Sequence, residues 1–169
     1  MAGTHAKDSP SGYDGWSNCV DWASDPNGSK HADLGTDAHE LAAICLTENT
    51  APAAYLGRLM SKGNEVDLEM VEAIDSYLAV VRSIHGKLLV EVALPLTPIT
   101  GEEDAFGTSD AVVLTEDEIV VIDLKYGKGI SVSAEGNGQL RIYGLAALIE
   151  YGHLADFKSV RTMIVQPRI

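Results

Sequence analysis

Gly107-Thr108-Ser109-Asp110-Ala111-Val112-Val113-Leu114 is followed, after a short break, by Glu118-Ile119-Val120-Val121-Ile122-Asp123-Leu124-Lys125. Both runs are apolar and rich in β-branched residues, as buried strands require. Each also carries a carboxylate at a place where an unpaired charge is costly. Thr115-Glu116-Asp117 between them suits a tight turn, so strands over 106–114 and 118–125 are expected to pair as an antiparallel hairpin. Asp123 and Lys125 stand two apart and share one face of their strand. The hairpin can bring Asp110 close to Asp123.

Upstream, Leu34, Ala38, Leu41, Ala42 and Cys45 recur at helical spacing and predict a helix over about 30–48, closed by Asn49 and Pro52. Val71, Ile74, Leu78 and Val81 predict a second helix over about 67–83, with Gly86 as its stop. Residues 87–94 read as a strand ended by Pro95 and Pro98, before a loop with Glu102, Glu103 and Asp104. Downstream, a glycine-containing loop over 126–133 leads to a helix over about 134–151. A final strand over 160–165 is stopped by Pro167. The order helix, helix, strand, strand, strand, helix, strand describes an α/β domain with a small mixed β-sheet flanked by helices. Residues 1–29 are expected to form a mobile tail and a short irregular or helical segment around Ser11 to Trp22. In that segment Trp16 and Trp22 are packing anchors rather than base-stacking platforms.

The chain has 169 residues, of which 46% are apolar, enough for one domain with a real core. No apolar run approaches the ~18 residues of a membrane span. The first ten residues lack the apolar stretch of a secretion signal, so a cytoplasmic location is expected. Two cysteines, Cys19 and Cys45, cannot build a disulfide framework or a four-cysteine cluster, and Cys45 belongs in a core. The net charge of −13 argues against simple nucleic-acid binding through a basic surface. It leaves room for a metal site, which needs carboxylates and whose cations invert the local sign of charge. Any DNA contact must then come from a local patch, a partner subunit or metal-bridged phosphate.

Two convergent carboxylates and an ammonium suit phosphodiester hydrolysis. The carboxylates are hard ligands for Mg²⁺ or Mn²⁺, and the lysine can orient a water or stabilise transition-state charge. Against this, an Asp-x-Lys pair at a strand end is often only a surface ion pair worth ~0–1 kcal/mol. Gln139 and Tyr143 lie four apart on one helical face and can orient a lysine, a phosphate or a water, or be plain helix surface. His39 lies beside an apolar stripe. It is either a half-buried packing residue or a metal ligand. Tyr126-Gly127-Lys128-Gly129 is a flexible connector or a phosphate contact, without a P-loop pattern. Glu91 can reach the site as a supporting acid. Glu102 to Asp104 is a solvated loop, and no Gly-x-Ser-x-Gly elbow exists.

Taken in order, Gly35-x-x-x-His39 on a helix, Gly107-x-x-Asp110 and Asp123-x-Lys125 on strands, and Gln139-x-x-x-Tyr143 on a helix form a set. The set resembles the RecB-like branch of the PD-(D/E)XK nucleases, which includes lambda-type exonucleases. It spans about residues 30 to 166. The stretch Ser9-Pro10-Ser11 through Trp16 to Cys19 also resembles a segment of phage-encoded members. The resemblance implies a restriction-endonuclease-like core over 30–169. His39, Asp110, Asp123 and the Leu124 carbonyl would be metal ligands, Lys125 the catalytic lysine, and Gln139 and Tyr143 its support or that of the DNA. The iron–sulfur cluster of some relatives is not expected, because the cysteines it needs are missing. The chain ends at Gln166-Pro167-Arg168-Ile169, just after an apparent core strand, where relatives usually continue, so a C-terminally shortened domain is expected.

The function expected is a Mg²⁺- or Mn²⁺-dependent deoxyribonuclease, an exonuclease of phage-type recombination or DNA repair, in the bacterial host cytoplasm if phage-encoded. DNA is the expected partner. A homo-oligomer would help an acidic protein hold it. The competing expectation is a weakly active or inactive nuclease-fold module that binds a recombination or replication protein. A third is an enzyme acting on another phosphate substrate.

Overall fold

The structure, a computed structural model, describes Pro10, Tyr13 and residues 30–169. The expected tail and the segment around Ser11 to Trp22, with Trp16, Cys19 and Trp22, fall outside these apart from Pro10 and Tyr13. The elements are α1 (Lys30–Glu48), a 3₁₀ turn (Pro52–Tyr55), α2 (Leu68–Ser83), β1 (Lys87–Pro95), the short α3 (Thr97–Thr100), β2 (Phe106–Leu114), β3 (Glu118–Leu124), α4 (Gly138–Tyr151) and β4 (Ser159–Val165). This is the α/β class expected from the sequence. Its sheet is four-stranded and mixed, in the order β1-β2-β3-β4. The chain divides into two compact units. The first holds Gly86–Asp123 and Ser133–Met163 with Pro10 and Tyr13; the second holds 30–85, Leu124–Val132 and Ile164–Ile169.

In the first unit β1 pairs antiparallel with β2, and β2 with β3. The β2–β3 turn is the expected one. Thr115 N–H donates to the Glu118 carbonyl (2.9 Å), and Thr115 Oγ1 accepts from Glu118 N–H (2.8 Å). Val112 and Leu114 of β2, Ile119 and Val121 of β3, and Leu94, Leu96 and Ala105 form one core with Ile142, Tyr143, Ala146 and Ala147 of α4. Each fully buried aliphatic side chain contributes ~1.5–3 kcal/mol. Ala111, Val113, Val120 and Ile122, at the alternate positions, are buried as well. Strands apolar on both faces explain the near-continuous hydrophobic runs in the sequence.

Two glycines let α4 sit close. At Gly144 a Cβ would lie 3.2 Å from Thr162 and 3.3 Å from Val160 of β4. At Gly138 it would lie 2.0 Å from the Tyr13 ring, so that ring occupies space only glycine leaves open. α4 begins at Gly138 rather than near residue 134, because Asn137 takes the N-cap and accepts from Leu140 N–H (3.0 Å).

In the second unit Asp67 caps α2, accepting from Met70 N–H at 2.8 Å. The cap contributes ~1 kcal/mol. Met70, Ala73, Ile74, Tyr77, Leu78 and Val81 form its buried stripe, and Ala38, Leu41, Ala42, Cys45 and Leu46 that of α1. Cys45 is a buried free thiol, as expected, and burial pushes its pKa up. Arg82 closes α1 by donating to the carbonyls of Cys45 (3.0 Å) and Thr50 (2.9 Å). Among the described residues no helix is long and apolar enough to cross a membrane.

Candidate metal centre

The register of the first unit decides where its acids stand. β2 and β3 pair through Ala111↔Ile122, Val112↔Val121, Val113↔Val120 and Leu114↔Ile119. Extending the same register by one step sets Asp110 opposite Asp123. β1 and β2 pair through Val90↔Ala111 and Val92↔Ser109, so the position between them sets Glu91 opposite Asp110. Glu91, Asp110 and Asp123 therefore form one row across three strands, and directly opposed residues share a face of the sheet. A carboxylate oxygen of Glu91 lies within 4.8 Å of one of Asp110. Glu91 holds this place at φ +47°, a left-handed backbone that is rare for a non-glycine residue inside a strand. Asp123 is buried and Asp110 half-buried, while Glu91 is exposed.

α4 supplies the polar groups beside the row. Gln139 Nε2 donates to Asp123 Oδ1 at 3.1 Å. One turn on, Tyr143 is buried among the core residues and faces the same acids. Its hydroxyl is pushed well above the usual tyrosine range, first by burial, then by the negative charges of Asp110 and Asp123, with Gln139 acting in the opposite sense. The phenol is thus a neutral donor at any physiological pH. Gly107, which opens the Gly-x-x-Asp motif, gives the ring its room. A Cβ there would lie 3.0 Å from Tyr143 Cε1 and 3.2 Å from both Leu96 and Pro10.

The other expected site residues belong to the second unit. His39 on α1, Leu124 and Lys125 line one cavity of about 460 Å³, together with Gly35, Tyr126, Gly127, Lys128, Ile130, Val132 and Gln166. Gln166 holds the loop in place. Its Oε1 accepts from Val132 N–H (3.0 Å), and its Nε2 donates to the Ile130 carbonyl (2.7 Å). The backbone of Lys125 donates to the Val165 carbonyl at 2.9 Å, which anchors the start of the loop. Two residues before His39, Asp37 is fully buried. It accepts from Lys62 N–H (2.7 Å), Asn64 N–H (3.0 Å), Asn64 Nδ2 (2.7 Å) and Ser61 Oγ (3.4 Å).

The structure thus gathers Asp110, Asp123, Gln139 and Tyr143 in one unit, and His39, Leu124 and Lys125 around one cavity in the other. It adds Glu91 to the row as a direct cross-strand neighbour, where the sequence suggested only a supporting acid. The strand register was the missing signal. Gln166 escaped the sequence reading because its partners lie over thirty residues away.

The donor set, hard carboxylate oxygens at close range, fits a hard divalent cation. The chain belongs to the family described as "Protein of unknown function (DUF2800)", whose model matches residues 5–169. No solved structure matches it.

Proposed function

We propose that this DUF2800 member is a divalent-metal-dependent phosphodiesterase acting on DNA, an exonuclease of phage-type recombination or repair. The observation that supports the reading is the approach of the Glu91 and Asp110 carboxylates to within 4.8 Å on neighbouring strands, with Gln139 donating to Asp123 on the next strand. Like charges directly opposite destabilise a strand pair, and a cation held among such acids lowers that cost.

In this reading Asp110 and Asp123 hold Mg²⁺ or Mn²⁺. His39 and the Leu124 carbonyl complete the ligand set, and their assignment rests on the ordered motifs. When bound, such an ion polarises a phosphoryl oxygen and acidifies a water. Gln139 fixes the orientation of the Asp123 carboxylate, as supporting groups of metal sites do. Tyr143 offers a neutral O–H that cannot ionise near neutral pH. Lys125 orients the attacking water or stabilises the charge that develops on the phosphoryl oxygens.

The test is incubation of the protein with linear duplex, linear single-stranded and closed circular DNA in Mg²⁺, Mn²⁺ or EDTA. Metal-dependent loss of linear DNA that spares circles is expected, and Lys125→Ala should abolish it. Gln139→Leu should lower Mn²⁺ affinity roughly 10–100-fold, as loss of a supporting partner does. A wild-type protein that binds Mn²⁺ but cuts nothing would favour the non-cleaving module, to which the net charge of −13 also points.

A further inference from the structure

An acidic chain that handles nucleic acid needs a local cationic track, and the second unit offers one. Beside the cavity that holds His39 and Lys125 lies another of about 440 Å³, lined by Leu34, Gly35, Tyr126, Gly127, Lys128 and Arg168. The two share Gly35, Tyr126, Gly127 and Lys128, so they adjoin along that loop and together make up a groove. Three of the chain's twelve Lys and Arg residues line it: Lys125, Lys128 and Arg168.

The cations are not arranged as ordinary surface charges. The Arg168 side chain is only 9% exposed. Its guanidinium stacks on the Tyr126 ring at 4.1 Å and donates to the Tyr126 carbonyl at 3.0 Å. It also pairs with Glu69 at 3.2 Å. Lys128 pairs with the same Glu69 oxygen at 2.5 Å and stays half exposed. One carboxylate therefore serves two cations, and the trio keeps a net positive charge. The Lys128 hydrogen bond, with those of Arg168 and against a desolvation penalty, holds the Glu69 carboxyl below its usual range. It stays ionised and can act as an internal anion.

The groove walls are bare. Nothing stands within 4 Å of where a Cβ would lie at Gly35 or Gly127. Gly35 is also inside α1, where glycine is destabilising by ~0.5–1 kcal/mol relative to alanine and nothing in the packing requires it. Missing side chains along a cationic groove let a ligand backbone approach closely.

We infer that this groove binds the phosphodiester backbone of a nucleic-acid strand, with Lys128 as a phosphate contact, Arg168 as its fixed positive support and Glu69 as the internal anion that phosphate displaces. The inference takes its ligand from the nuclease reading, but it concerns binding and not cleavage.

The test is fluorescence anisotropy with a labelled twelve-nucleotide single strand in EDTA, from 50 to 200 mM salt. Wild-type protein should bind, with affinity falling as salt rises. Lys128→Ala should weaken binding and reduce the logarithmic salt slope by about 0.7, the signature of one lost phosphate contact. Glu69→Gln should tighten binding. Gly35→Ala should weaken it while leaving the melting temperature equal or higher, which separates a binding role from a folding role. Inorganic phosphate at matched ionic strength should not displace the strand.

No strand binding by the wild-type protein overturns the inference. So do unchanged affinity and slope in both Lys128→Ala and Glu69→Gln, or full displacement by inorganic phosphate. Cleavage in Mn²⁺ is scored separately. Cleavage with a silent Lys128→Ala sinks the groove and spares the enzyme. Lys128-dependent binding without cleavage sinks the enzyme and spares the groove.

Discussion

Asp37 and Asp123 are the same residue type, both buried, one in each unit, and they are held in opposite ways. Asp37 is ringed by four donors from Ser61, Lys62 and Asn64, which satisfy its charge locally. Asp123 accepts from Gln139 and continues a row with two further acids. A buried carboxylate met by backbone N–H groups is a device for folding: it staples a loop to a helix. A buried carboxylate aligned with other carboxylates repels them, and a cation bound among them would relieve that repulsion. Burial alone does not separate structural from functional acids, but the sign of the neighbours does.

The sharpest way to break this contrast is to unmake Asp37. Asp37→Ala removes the acceptor of two backbone N–H groups and should cost about 3 kcal/mol, as loss of hydrogen bonds to a buried charged group does. Denaturant unfolding measures it. The pH dependence tests the cause. Burial raises the Asp37 pKa, but the bonds from Lys62, Asn64 and Ser61 outweigh it, and the net shift is downward. A group whose folded pKa lies below its unfolded value contributes stability above the unfolded value, near 3.9. That stability is lost as pH falls through the folded one. The gap between wild type and Asp37→Asn should therefore narrow below about pH 4. A gap independent of pH would show that Asp37 works as a neutral spacer.

These two acids also show what was legible in the sequence. Asp110 and Asp123 could be singled out because a charge inside an apolar strand breaks the local pattern. The expectation that they approach each other followed from a three-residue turn. Gln139 and Tyr143 followed from helical spacing. Asp37 sits in the same segment as His39 and drew no notice, because its donors come from 24 to 27 residues away. Arg168 escaped for the same reason: its partner Glu69 is 99 residues distant. The short α3, Thr97–Thr100, fell in what reads as a proline-marked loop. Periodicity reports on faces of single elements. It is silent on which distant loop will supply a donor.

A medium-sized effect is expected at Gly107, where the first unit's site meets its core. The ring of Tyr143 stands 3.0 Å from the would-be Cβ, and Leu96 and Pro10 close the other sides. Gly107→Ala should cost about 1–3 kcal/mol by overpacking. It should also displace Tyr143 and weaken Mn²⁺ binding more than other substitutions of equal instability. A variant destabilised in that range but binding Mn²⁺ normally would make Gly107 a packing residue only.

The smallest expected effect is at Glu91, and it separates the two kinds of acid most directly. At an ordinary strand position, a change to glycine costs ~0.5–1 kcal/mol in chain entropy. At φ +47° glycine removes a strain of ~1–2 kcal/mol that any other residue carries. Glu91→Gly also takes one negative charge from the row opposite Asp110. In metal-free protein these gains offset the entropy cost, so the melting temperature should not fall. With saturating Mn²⁺ the order should reverse, because the wild-type row gains more from the cation than the shortened one. The measurement is a pair of thermal melts, with EDTA and with Mn²⁺, for the two proteins. A variant less stable than wild type in EDTA by the ordinary glycine penalty would mean that Glu91 is held by the fold, as Asp37 is, and not poised for a cation.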